Sequence, residues 1–180
     1  KNNEKAKVKP LNNSNDSTIL WIKASKNKSF SINQRKDFLV KSYQAIKSSK
    51  IDTLQVRNLS IISYQSYKLG DTLLFKKRNK ETLAIANKLK DTFAIGDVHW
   101  NYASYYNKIQ VYDSAYYHFN LAHTYFDKKA YVFESAKTQY GMAFIKGRFK
   151  DYSGSEVLTF NAINKFKKIK NYKSLFTCYN

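Results

Sequence analysis

The sequence is poor in the residues that punctuate and cross-link chains. Among 180 residues there is one cysteine, one proline and five glycines, and 13 acidic residues stand against 32 basic ones. A single cysteine, Cys178, excludes an intramolecular disulfide framework and any multi-cysteine zinc site. So few glycines and prolines argue against a β-sandwich or barrel, whose many turns consume them. No apolar run approaches the roughly 18 residues of a membrane span. The phosphate-cradling G-x-x-x-x-G-K-[ST], the dinucleotide G-x-G-x-x-G and the nucleophile elbow G-x-S-x-G are all missing. What remains is 43% hydrophobic and 16% aromatic, enough for a sizeable core and too much for a disordered chain.

Residues 1–18 are Lys, Asn and Ser with almost no large apolar side chain, and they hold the only proline, Pro10. They read as a flexible basic leader. A short apolar patch, Ile19-Leu20-Trp21-Ile22, reads as a helix or turn packed on the next element. From about Phe30 onward the pattern is helix after helix. Tyr112, Ala115, Tyr116, Phe119, Ala122 and Phe126 form one helical stripe, and so do Ile95, Val98, His99, Tyr102, Ala103, Tyr106 and Ile109. Asp52-Thr53 and Asp91-Thr92 read as helix starts, because a short side-chain oxygen accepts from the free amides of the first turn. The chain begins at Lys1 and reaches Asn180 inside an apolar-periodic stretch (Leu175, Phe176, Tyr179), so it reads as an excerpt of a longer protein.

A repeat underlies this pattern. Shifted by about 40 residues, the chain overlays itself. Ser63, Ala103 and Ala143 fall on one beat; so do Tyr112 and Tyr152, Ala122 and Ala162, and Phe126 and Phe166. Each unit is then two helices with short links. The small residues sit where antiparallel helices cross closely, and aromatics fill the space beside them. One pair cannot bury its own stripe, but stacked pairs share a continuous core. The expected architecture is all-α, with units over 30–50 (partial), 51–90, 91–130, 131–170 and 171–180 (truncated) within a domain spanning 19–180.

The run Gly96 to Asp127 resembles a tetratricopeptide repeat, with Tyr102-Ala103, Tyr106, Ala115, Phe119 and Ala122 at signature places. His99 and Asp127 depart from the pattern, and the unit is longer than the family's roughly 34 residues. The resemblance implies helix pairs stacked into a right-handed superhelix. More narrowly, Lys- and Asn-rich repeats with Asp-Thr helix starts and Tyr112-Asp113-Ser114-Ala115 resemble the N-terminal repeat regions of Bacteroidetes-type sensor histidine kinases and related regulators. That resemblance implies a sensory or partner-binding role in two-component signalling, with any kinase module outside this chain. It leaves the compartment open, a periplasmic sensor region standing slightly ahead of a cytoplasmic one.

Chemistry-bearing constellations are thin. His118 and His123 are five apart, so they diverge by about 140° on a helix and do not share a ligand as an i, i+4 pair would. His99 lies on a buried stripe and Cys178 on an apolar face. The acidic residues are spread singly. These features indicate no enzyme, no metal site and no cofactor. The formal charge of +19 would attract nucleic acid or an anionic membrane, but 28 of the basic residues are Lys and only four are Arg. That balance weighs against nucleic acid, where the guanidinium fork is favoured. The densest run, Lys165, Lys167, Lys168, Lys170 and Lys173, reads as the outer face of a second helix.

In the tetratricopeptide family the first helix of each pair lines the concave face. By position, the resemblance puts Arg57, Tyr64 and Lys68 there from one unit. The next supplies Trp100, Ser104, Asn107 and Lys108, and the third supplies Lys137, Tyr140, Phe144 and Arg148. Cationic heads among flat rings suit a protein or peptide partner of acidic character. A neighbouring repeat or a second copy of the chain is what these positions would otherwise meet, and a basic nucleic-acid or anionic-surface binder is the alternative function.

Overall fold

A computed structural model describes the backbone of residues 14–179 and the side chains of residues 17–179. It is all-α. Among the described residues nine helices follow one another without a strand: α1 Ser14–Lys26, α2 Ile32–Lys47, α3 Thr53–Lys68, α4 Thr72–Leu89, α5 Thr92–Lys108, α6 Tyr112–Lys128, α7 Val132–Arg148, α8 Tyr152–Lys168 and α9 Tyr172–Tyr179. Among the described residues no helix is long and apolar enough to cross a membrane. Of the expected leader, residues 1–13 lie outside the described residues. Ser14–Thr18 belong instead to α1, and Thr18 is buried. The apolar patch behind them explains the difference: Ile22 is buried, and a helix that packs it needs more than one turn to be stable.

Capping fixes where the helices begin. Ser31 and Asp52 open α2 and α3 with capping boxes, each exchanging hydrogen bonds with a glutamine three residues on, Gln34 and Gln55. Asp71, Asp91, Asp151 and Asn171 each accept from the backbone amide three residues later, at 2.9–3.0 Å. Val111 and Tyr131 open α6 and α7 with no side-chain cap.

The helix ends keep a beat of twenty. Gly70, Lys90, Gln110, Ala130, Lys150 and Lys170 all have positive φ, between 53° and 83°. At each, two backbone bonds close the turn. At Ala130, for instance, the Ala130 amide donates to the Asp127 carbonyl at 3.0 Å and the Tyr131 amide to Phe126 at 2.9 Å. This is the Schellman pattern, and its last residue is the N-cap position of the next helix. A link this short forces consecutive helices to run antiparallel. Only one of the six left-handed positions is glycine, and a side chain there costs about 1–2 kcal/mol. Ala130→Gly should therefore raise stability by about 0.5–1 kcal/mol after the extra freedom of unfolded glycine is charged against it. Lys90, Gln110, Lys150 and Lys170 should behave alike, and their gains should add because the sites are far apart. Urea unfolding checks this: a five-glycine variant no more resistant than its parent would contradict it.

Packing divides the described residues into two compact units, with the division between Arg78 and Asn79 inside α4. In the first, α1 packs on α2 and α3, and α2 on α3. Its core is Ile22, Leu39, Ile46, Val56, Leu59, Ile62 and Phe75. The Arg35 Nε donates to the Ser25 carbonyl at 2.7 Å and ties α2 to α1. In the second, α5 packs on α6, α6 on α7, α7 on α8 and α8 on α9, which is the successive packing of a helical repeat stack. Ala103, Ala115, Ala122, Ala136, Ala143 and Ala162 are all at most 2% exposed, so the small residues sit at the helix crossings. Phe119 and Phe126 from α6 press beneath Gly141 of α7 and Gly96 of α5. Asn79 and Asn101 are fully buried and satisfy one another: Asn101 Nδ2 donates to Asn79 Oδ1 at 3.2 Å, and Asn79 Nδ2 to the Val98 carbonyl at 3.1 Å.

Candidate functional site

The face shared by α5, α7 and α9 in the second unit is built around a cation on a ring. The Lys137 ammonium of α7 lies 3.6 Å from the centre of the Trp100 ring of α5. Burial pushes the Lys137 pKa down, and the nearby carboxylates of Asp97 and Glu134 oppose that. The pair joins α5 to α7. One turn on, the Tyr140 hydroxyl donates to the Thr177 carbonyl of α9 at 2.9 Å, which brings α9 beside α7. Beyond it Phe144 is 45% exposed, with the Arg148 guanidinium 4.8 Å from its ring centre. Phe176 and Tyr179 on α9 are exposed too.

The sequence-derived residues thus separate. Trp100 pairs with Lys137 and Phe144 with Arg148. Ser104 is half-buried, and Lys108 is exposed at the end of α5. Asn107 is half-buried, and its Oδ1 is buried without a hydrogen-bond partner among the described residues. Tyr140 gives its hydroxyl proton to α9. In the first unit Arg57 and Tyr64 are half-buried on α3, and the exposed Lys68 ammonium lies 6.0 Å from the Tyr64 ring centre.

Two further clusters are invisible in the sequence. His99 of α5 and His118 of α6 meet with their Nδ1 atoms 3.1 Å apart, so one ring nitrogen donates and the other accepts. The rings of Tyr102, Tyr106 and Tyr117 lie 5.1–5.5 Å from that of His118, and Tyr125 stacks on His99 at 6.0 Å. Burial, and for His99 also the neighbouring His118, lowers both pKa values, that of His99 to about 4. The second cluster centres on Ser135 of α7. Its hydroxyl donates to Asp127 Oδ1 at 2.9 Å, accepts from the Lys165 ammonium of α8 at 2.7 Å, and lies 3.0 Å from His123 Nδ1. Lys165 also pairs with Asp127 at 2.6 Å.

Serine, histidine, aspartate and lysine are the residue types of nucleophilic catalysis, but the proton accounting points elsewhere. With the single hydroxyl proton on Asp127, His123 Nδ1 is left to donate, so it cannot act as the base for that oxygen. Ser135 is also 1% exposed. The cluster suits a tie that holds α6, α7 and α8 together. It also changes the reading of the lysine run: Lys165, Lys167 and Lys168 are on α8, Lys170 is in the turn and Lys173 is on α9, and Lys165 reaches across to α6 and α7 instead of lying on an outer face. Cys178 packs against the core of Ala136, Ala162, Ile163 and Phe166, and burial raises its thiol pKa, which disfavours a reactive thiolate. Among the described residues no group of three or more metal-ligating side chains forms.

A scan against protein-family models finds no match, and a search of curated proteins finds none. The fold alone defines the class: an all-α protein of successively packed helix pairs in a repeat-like stack.

Proposed function

We infer that the chain is a partner-binding scaffold of the tetratricopeptide type, serving the sensory or interaction region of a bacterial two-component signalling protein. The observation that supports this most directly is the face of α5, α7 and α9. There an exposed Phe144 under Arg148 lies beyond the Trp100–Lys137 pair, with α9 tied alongside through Tyr140. Rings give contact area at small entropic cost, and the flanking cations select acidic residues. The occupant is an extended acidic segment, which alternates apolar side chains against rings with carboxylates against Arg148.

Fluorescence anisotropy with a labelled peptide of about twelve alternating Glu and Leu residues tests this. The double variant Phe144→Ala with Arg148→Ala should weaken binding about tenfold or more, and the fold should survive because both residues are exposed. Unchanged affinity would remove the proposal. A DNA duplex bound more tightly than the peptide, with affinity falling steeply as salt rises, would favour the nucleic-acid alternative instead.

A further inference from the structure

The first unit contains a cavity of about 250 Å³ lined by both apolar and charged side chains. Leu39 and Val40 of α2 and Leu74 of α4 make its aliphatic wall, and Lys36, Ser66, Asp71 and Arg78 complete it. Arg78 is only 5% exposed. Its Nη1 donates to the Ser66 hydroxyl at 3.0 Å, and its guanidinium carbon lies 4.5 Å from the Tyr43 ring centre. Ser66 in turn donates to the Ile62 carbonyl at 2.9 Å, so its oxygen is turned to accept from Arg78. The guanidinium is therefore held in one orientation at the cavity wall. Asp71 Oδ1 accepts from the Leu74 amide as the cap of α4. Two cationic heads and one carboxylate leave the lining with one net positive charge.

A cavity lined by both charged and aliphatic side chains selects by charge and by shape together. One net positive charge matches one carboxylate, and the Asp71 carboxylate disfavours a dianion such as phosphate. A planar carboxylate also fits the guanidinium fork. At about 30 Å³ per small group the volume holds about eight heavy atoms. We propose that this cavity binds a short aliphatic monocarboxylate, with its carboxylate on Arg78 and Lys36 and its alkyl chain between Leu39, Val40 and Leu74. The residues are separate from those of the α5, α7 and α9 face, so the two proposals stand or fall independently.

Hexanoate is the probe, titrated into the full chain and followed by backbone amide and arginine side-chain NMR shifts. Saturable shifts at Leu39, Val40, Leu74 and Arg78, with a Kd of about 1 mM or tighter, are expected for a ligand of this size. Hexan-1-ol and inorganic phosphate should each bind at least about tenfold more weakly, since each lacks one of the two matched features. Val40→Phe, made at a partly exposed wall residue, should fill the space and abolish the shifts, and Lys36→Ala should weaken binding several-fold. Hexanol binding as well as hexanoate, phosphate binding better, shifts scattered away from the cavity, or full binding by a folded Val40→Phe protein would each overturn the proposal. Arg78→Leu is the less useful variant, because it removes a buried partner of Ser66.

Discussion

Phe126→Ala should cost about 4 kcal/mol, one of the largest losses expected from any single truncation in the second unit. The ring is fully buried. It packs 5.6 Å from Phe93 and edge-on to Tyr131 at 6.3 Å, and it lies directly beneath Gly96, where an added Cβ would come within 2.8 Å of the ring. That last distance makes the prediction sharper than a cavity argument alone. Gly96→Ala in the wild-type chain should destabilise, because overpacking costs about 1–3 kcal/mol against about 1 kcal/mol gained in helix propensity. In a Phe126→Ala background the clash is gone, and the same Gly96→Ala change should stabilise by up to about 1 kcal/mol. Urea unfolding of the four proteins gives the cycle. If Gly96→Ala has the same sign in both backgrounds, the close approach of α5 and α6 is wrong.

Acidification should weaken the second unit as its buried histidines take up protons. His99, His118 and His123 all have pKa values lowered by burial, aided by His118 for His99 and by Lys165 for His123. Unfolded histidines titrate near 6.5. Between that value and the folded values the unfolded chain binds more protons than the folded one, so stability is full above about pH 6.5 and declines as the pH falls towards 4. For His99 a drop from 6.5 to about 4 is worth about 3 kcal/mol at full burial. Its ring is only half-buried, and solvent screening brings this to about 1–2 kcal/mol. Asp127 and Asp151 have lowered values too, chiefly through hydrogen bonds from Lys165 and Lys146. Their contribution is lost only below about pH 4. Urea midpoints from about pH 7.5 down to about 4.5 should fall for the parent chain and fall less steeply for His99→Phe. Equal slopes would show that the histidine pair does not carry the effect.

How legible this was depends on distance along the chain. The stripe on α6 and the helix starts at Asp52 and Asp91 follow from neighbours within one or two turns, where spacing converts directly into a shared face, and the alanines at the crossings follow from the repeat of about 40 residues. The histidines show the opposite. Comparing His118 with His123 on one helix correctly found them diverging, yet His118 meets His99, 19 residues away on another helix. Ser135 has nothing beside it in sequence that marks it, because its partners come from α6 and α8. Tyr140 looked available for a ligand, but its hydroxyl is taken by α9. Of the left-handed turn positions only Gly70 carries the residue that conformation favours, while Lys90, Gln110, Ala130, Lys150 and Lys170 give no local signal of it.

By itself the order of amino acids determined that the chain is helical, where its amphipathic stripes run and that they recur about every 40 residues, because helix periodicity and capping act over a few residues. Only the tertiary structure decided which polar groups meet: His99 with His118, Ser135 with Lys165, Arg78 with Ser66, Lys137 with Trp100. Those meetings depend on the register and angle at which whole helices pack, which many weak apolar contacts set together and no local motif encodes.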